Sequence, residues 1–295
     1  MTPARPGSPG LVRKLVALFR GARLALHLLW GAAQAALLPY CSRDTRSRRV
    51  QRWCRALLDI LNIRLDALSP PRHGGGMAVA NHVSWLDIVV INAHRPAVFV
   101  AKSDVGGWPL IGGLCRAAQT VFVERARRQD AARVNRVLAG LMERGEWVVS
   151  FPEATTTDGV GVAHFHASLL QPCIDRGVVL EVMALGYFEA DGSLSRRAPF
   201  IGDDHFLGSL CRILCTPGMH AVLRGAEPLA VSGLDRRALA NAAQHRIGGL
   251  LMQMRREQAA RFQPGAAPDD APGGFSAYSL LLDNSLVGAL LKRLP

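Results

Sequence analysis

The run Asn81-His82-Val83-Ser84-Trp85-Leu86-Asp87 places a histidine and an aspartate five residues apart, directly after the apolar stretch Met77–Ala80. A His–Asp pair makes a general base when the carboxylate fixes one ring nitrogen as N–H and stabilises the imidazolium. The other nitrogen is then left to take a proton, and imidazole titrates close to cellular pH. On one continuous helix, residues five apart diverge by about 140° and would not meet. Across a helix start they can. With Ser84 as N-cap, Asp87 becomes the third helical residue and its carboxylate turns back toward His82. The same letters also read as a plain capping box, Ser84-x-x-Asp87, with His82 as a loop residue. Spacing alone favours neither.

A second polar run, Phe151-Pro152-Glu153-Ala154-Thr155-Thr156-Thr157-Asp158-Gly159, also leaves an apolar stretch. Glu153 sits on a rigid turn after Pro152, and Asp158-Gly159 forms another turn. Three hydroxyls between them, Thr155 and Thr156 foremost, make a pocket wall able to hydrogen-bond a polyol or headgroup. An ordinary turn is the alternative. In the third run, Phe122-Val123-Glu124-Arg125, the Arg125 guanidinium is suited to bidentate contact with phosphate. Arg127 and Arg128 read equally well as a solvated helix start. His164-x-His166 has no third ligand at useful spacing, so no metal is expected. The chain has no GxSxG, GxxxxGK, HExxH or GxGxxG run, which sets aside several common nucleophile, phosphate-loop, zinc and dinucleotide chemistries.

Strands read over Met77–Ala80, Val98–Ala101, Thr120–Val123, Trp147–Phe151 and Val178–Tyr187, which are short and rich in Val and aromatics. Helices read over Leu86–Ala93, Asp130–Arg144 and Asp235–Arg261. Their alternation predicts an α/β fold, with a central mixed sheet flanked by helices and polar clusters in loops at the strand ends. The 295 residues can bury a sizeable core, and 49% of them are hydrophobic. The formal net charge is +12. Residues 1–60 hold eleven Lys and Arg against Asp44 and Asp59, so +9 of that charge lies there. This arm surrounds an apolar stretch, Leu24–Leu38, which as a helix reaches about 22 Å against the roughly 30 Å of a bilayer core. An in-plane or partly inserted helix with arginines on anionic headgroups is expected. Aromatics are only 6%, so no nucleic-acid partner is expected. Six cysteines without a CxxC pair read as reduced thiols. The domain reading is a basic membrane-associating segment over 1–60, a catalytic domain over 61–262, and a linker with a C-terminal amphipathic helix over 263–295.

In this order the blocks resemble the glycerophospholipid acyltransferase family, of the lysophosphatidate acyltransferase type, over about residues 75–230. NHVSWLD is similar to the family's NHxSxxD block and FPEATTTDG to its FPEGTRS-type block, with Phe122–Arg125 between them and Val182–Tyr187 after them. The resemblance implies that His82 is the base and Asp87 its partner, and that Arg125 and Glu153 bind the acceptor. Lys102 stands where the family often has a lysine; it or backbone N–H groups would stabilise an oxyanion. Ala154 stands for the usual Gly, Thr156 for an Arg common in phosphate-using members, and Met183 for a Pro. The threonine-rich block is also similar to that of lyso-ornithine lipid acyltransferases. The implied activity is O-acyl transfer from acyl-CoA or acyl-carrier protein, without cofactor or metal, to a lysophospholipid at the cytoplasmic face of the membrane. 1-Acylglycerol 3-phosphate is the first acceptor and a lyso-ornithine lipid the alternative. An inactive basic protein binding membrane or RNA is the reading outside the enzyme class.

Overall fold

Alternating side chains along the apolar runs point to opposite faces, so a strand between two helix layers must be apolar on both. The computed structural model, which describes residues 11–69, 74–108, 111–123 and 128–262, shows this arrangement. Among the described residues a seven-stranded sheet has the order β1-β7-β6-β2-β5-β3-β4. The strands are β1 (Ile63–Leu68), β2 (Gly76–Ala80), β3 (Val98–Lys102), β4 (Val121–Val123), β5 (Trp147–Ser150), β6 (Leu180–Glu189) and β7 (Met219–Leu229). β2 pairs in parallel with both β5 and β6, and β3 with β5 and β4. β7 runs antiparallel to β6 and parallel to β1, so the sheet is mixed. Ala78, Ala80, Leu185 and Tyr187 pack toward α2 (Arg43–Leu61), α3 (Leu86–His94) and α8 (Phe206–Leu214). Met77, Val79, Val182 and Phe188 pack toward α6 (Arg128–Glu143), α7 (Gln171–Arg176) and α9 (Arg236–Arg261). Two short helices, α4 (Ser103–Gly106) and α5 (Ile111–Ala117), connect β3 to β4.

Two strands, β1 and β7, escape a reading based on apolar runs because Arg64, Asp66, Arg224 and Glu227 interrupt them. Across the pair, Arg224 Nη2 meets Asp66 Oδ2 at 2.9 Å, which supplies a partner for a guanidinium that is otherwise buried. Met183, in place of proline, is held between Ala80 on β2 and Gly225 on β7, where its N–H can serve the ladder that a proline would interrupt.

The N-terminal helix α1 runs from Leu11 to Ala35, correcting the expected apolar helix Leu24–Leu38 at both ends. Leu38 begins a separate 3-10 turn containing Pro39. One side of α1 is fixed to the domain. The buried Arg20 donates to the carbonyls of Leu214 (3.2 Å) and Thr216 (2.7 Å) at the end of α8. His27 stacks on Trp53 at 4.8 Å. Gly31 lies where a Cβ would stand 2.5 Å from Trp53 Nε1, so only glycine fits. The opposite side exposes Leu15, Leu18, Phe19, Leu26, Leu29 and Trp30, one stripe at helical spacing. Among the described residues, Leu15–Ala35 is the one segment long and apolar enough to cross a membrane.

The described residues up to Ala259 form one compact unit. The expectations for the linker and C-terminal helix over 263–295 lie outside the described residues. All six cysteines are free, and burial pushes the thiols of Cys54 and Cys173 up to about 12. Among the described residues, three that are not glycine take the left-handed backbone conformation: Asn62 (φ 56°), Gln119 (φ 63°) and Ala154 (φ 59°). The turn at 154 therefore keeps a geometry suited to glycine although alanine occupies it. That conformation costs a residue bearing Cβ about 1–2 kcal/mol, offset in part by the smaller unfolded-state entropy of alanine. Ala154→Gly is expected to raise stability by about 0.5–1 kcal/mol in thermal unfolding; a less stable variant would contradict strain at this turn.

Candidate active site

Parallel strands end together, and loops far apart in sequence meet at one sheet edge for that reason. β2 delivers Asn81 and His82, the adjacent β5 delivers Phe151–Glu153, and β3 ends at Lys102. The edge strand β4 ends at Val123; Arg125, in 124–127, lies outside the described residues.

His82 and Asp87 are brought together. His82 Nδ1 lies 2.7 Å from Asp87 Oδ2. The same oxygen accepts from the amides of Val83 (2.7 Å) and Ser84 (3.0 Å). The other oxygen, Oδ1, accepts from the Tyr187 hydroxyl at 2.8 Å. A carboxylate only accepts, so Nδ1 carries the hydrogen of this pair, and in the neutral ring Nε2 is then the unprotonated nitrogen. Asp87 is fully buried, while the His82 side chain keeps 20% of its surface open. The His82 ring stacks on Phe151 at 4.1 Å, which in turn stacks on Phe99 at 5.9 Å. The imidazole is thus held at one edge and one face, with the Nε2 edge free of hydrogen bonds among the described residues. That is the arrangement of a general base.

The expected N-cap at Ser84 is corrected. α3 starts at Leu86 after Trp85, and Ser84 Oγ is buried without a hydrogen-bond partner. Only the carboxylate half of the capping box forms. Asp87 satisfies the backbone turn and the imidazole with a single oxygen, so the two readings of the sequence are one structure.

Glu153, expected to bind the acceptor, is held in place by two backbone amides. Its Oε1 accepts from the His82 amide (2.6 Å) and its Oε2 from the Ala163 amide (2.7 Å). Burial pushes its carboxyl up, and these two amides with the His82 imidazole oppose the rise. Glu153 therefore joins the loop after β5 to the one carrying His82. With Glu153 and Asp87 engaged, the N–H groups of His82, Val83 and Ser84 are all taken, so none of them serves as an oxyanion donor.

Of the threonines, Thr155 is exposed, and Thr156 gives its hydroxyl to the Phe200 carbonyl. Thr157, not singled out in the sequence, donates both its amide (2.8 Å) and its hydroxyl (3.2 Å) to the His82 carbonyl. Lys102 is exposed and pairs with Asp104. His164 and His166 face each other edge-on, and no group of three His, Cys, Asp or Glu suited to a metal occurs among the described residues.

Tyr187 and Asn81 are the residues that sequence reasoning missed. Asn81 bridges to β6 through both its amide groups, donating to Leu185 O (2.9 Å) and accepting from Leu185 N (2.8 Å). A usable signal for Tyr187 existed. It alternates with Met183 and Leu185 on the face toward α3, and a tyrosine buried among aliphatics needs a partner for its hydroxyl.

An acyltransferase family model matches residues 63–181, which include His82, Asp87 and Glu153. The chain is 35% identical over 245 residues to the lyso-ornithine lipid O-acyltransferase of Pseudomonas aeruginosa, covering 79% of this chain and 93% of that protein. It is 38% identical over 159 residues to the 1-acyl-sn-glycerol-3-phosphate acyltransferase of Neisseria meningitidis serogroup B, covering 53% of this chain and 62% of that one. The crystal structure of the 1-acyl-sn-glycerophosphate acyltransferase of Thermotoga maritima shares the fold, with a TM-score of 0.62 at 18% identity over 83% of this chain and 96% of that chain. By sequence and by fold, the chain belongs to the glycerophospholipid acyltransferase family.

Proposed function

We propose that the protein acylates the free hydroxyl of a lyso-lipid, using acyl-CoA or acyl-carrier protein as donor, with His82 as base. The observation that carries this reading is the His82–Asp87 hydrogen bond of 2.7 Å, which leaves Nε2 open. In this mechanism His82 Nε2 takes the proton of the acceptor hydroxyl as its oxygen attacks the thioester carbonyl carbon. The resulting tetrahedral oxyanion collapses, the C–S bond breaks, and the departing sulfur recovers the proton from the imidazolium. Asp87 stabilises that imidazolium without becoming protonated. The step requires no acyl-enzyme.

For the acceptor we favour a lyso-ornithine lipid over a phosphate monoester. Thr156 brings no cation where phosphate-using members have arginine, and its hydroxyl is engaged by Phe200. The relative matched over 93% of its length carries the lyso-ornithine lipid name. The second reading, 1-acylglycerol 3-phosphate, is favoured by the presence of Arg125 in the sequence and by the Neisseria relative. Either acceptor resides in a membrane. The exposed stripe Leu15–Trp30 would set α1 against the cytoplasmic leaflet, with the basic residues of the first sixty on its anionic headgroups.

Thiol release from acyl-CoA and from acyl-carrier protein, with lyso-ornithine lipid and lysophosphatidate offered in parallel, tests this. Turnover is expected with the ornithine lipid and is expected to fall by at least about 1,000-fold in His82→Ala, as when a triad base is removed. Turnover with lysophosphatidate alone would move the acceptor to the second reading. Turnover that survives in His82→Ala would remove His82 as base.

A further inference from the structure

Asp87 Oδ2 has three donors, whereas Oδ1 has one among the described residues, the hydroxyl of Tyr187. Tyr187 comes from β6, a hundred residues further along the chain. Its side chain is among the largest fully buried ones in the protein. Burial first, and then the charge and hydrogen bond of Asp87, hold its phenol well above the usual tyrosine range. The hydroxyl is therefore a permanent donor at any physiological pH and cannot be a base.

We infer that Tyr187 is a positioning residue that sets both the orientation of Asp87 and the basicity of His82. The inference rests on the general-base reading of His82. Orientation follows from geometry: with Oδ1 tied to β6, the carboxylate cannot rotate and carry Oδ2 away from the imidazole. Basicity follows from charge. A donor on Oδ1 draws negative charge away from Oδ2, so Asp87 holds the imidazolium less tightly than a free carboxylate would. The ionisable groups placed against His82 are Asp87 from α3, Glu153 from the loop after β5, and Tyr187 behind Asp87 from β6. Of these, Tyr187 alone can lose its hydrogen bond without removing a charge or a contact to His82.

Tyr187→Phe deletes the hydroxyl and keeps the ring. It is expected to lower kcat by about 10- to 100-fold, the cost of leaving a charged acceptor short of a donor, with KM for the acceptor unchanged. The acid limb of the pH–rate profile is expected to move upward by about half a unit to one unit, because the more basic Asp87 holds the imidazolium longer. 3-Fluorotyrosine at position 187, a stronger donor of nearly the same size, is expected to move that limb downward. The His82 imidazole, followed by NMR titration in each variant, is expected to shift in the same two directions. That readout needs no substrate, so it tests this inference even where no acceptor turns over, the result that would instead count against the acyl-transfer reading. A fall in kcat with an unmoved acid limb and an unmoved His82 titration would reduce Tyr187 to a packing role. Equal titration of His82 in the wild-type and fluorotyrosine proteins would overturn the inference even if the phenylalanine variant failed to fold.

Discussion

The structure depends on a carboxylate placed where water cannot reach it. An ion taken into a protein interior carries a penalty of several kcal/mol unless hydrogen bonds replace its hydration. Asp87 is fully buried, and four donors converge on it: the His82 imidazole, two successive backbone amides and a tyrosine hydroxyl. Three of these donors come from the turn after β2 and the fourth from β6 in the middle of the sheet, while the carboxylate itself stands in the first turn of α3. Removing any element misplaces at least one of them. The acid that orients His82 is thus also the point where turn, helix and sheet are joined.

Around that point the remaining contacts restrict the loop further. Glu153 holds the His82 amide, Thr157 holds its carbonyl, and Phe151 covers its ring. Backbone and side chain of one residue are therefore fixed by three separate parts of the loop that leaves β5, the neighbouring parallel strand. What stays open is the Nε2 edge. The same logic fixes α1: buried Arg20 caps the carbonyls at the end of α8, and Gly31 lets Trp53 approach closely. The apolar stripe then faces outward because the opposite side of the helix is already committed to the domain.

Much of this was legible in the residues. His82 and Asp87 announce themselves by type and by a spacing that works only across a helix start. The Val-rich runs mark five of the seven strands because both their faces are buried. Other features were hidden for physical reasons. β1 and β7 carry charges that neutralise one another only once Asp66 and Arg224 are paired across strands, which no local pattern reveals. Ser84 has the type and position of an N-cap, yet the Asp87 amide goes to its carbonyl and its hydroxyl is left buried without a partner among the described residues. The backbone contacts of Glu153 are hidden because its two amide partners lie 71 and 10 residues away. Tyr187 sits at the end of an apolar run and reads as core until its hydroxyl is traced to Asp87.

The central claim is that Asp87 selects the imidazole tautomer that leaves Nε2 bare, and nitrogen-15 NMR of the His82 ring at neutral pH tests it most directly. The account predicts a protonated Nδ1 and an unprotonated Nε2, with the preference lost in Asp87→Asn. A wild-type ring carrying its proton on Nε2, or one indifferent to Asp87→Asn, would contradict it.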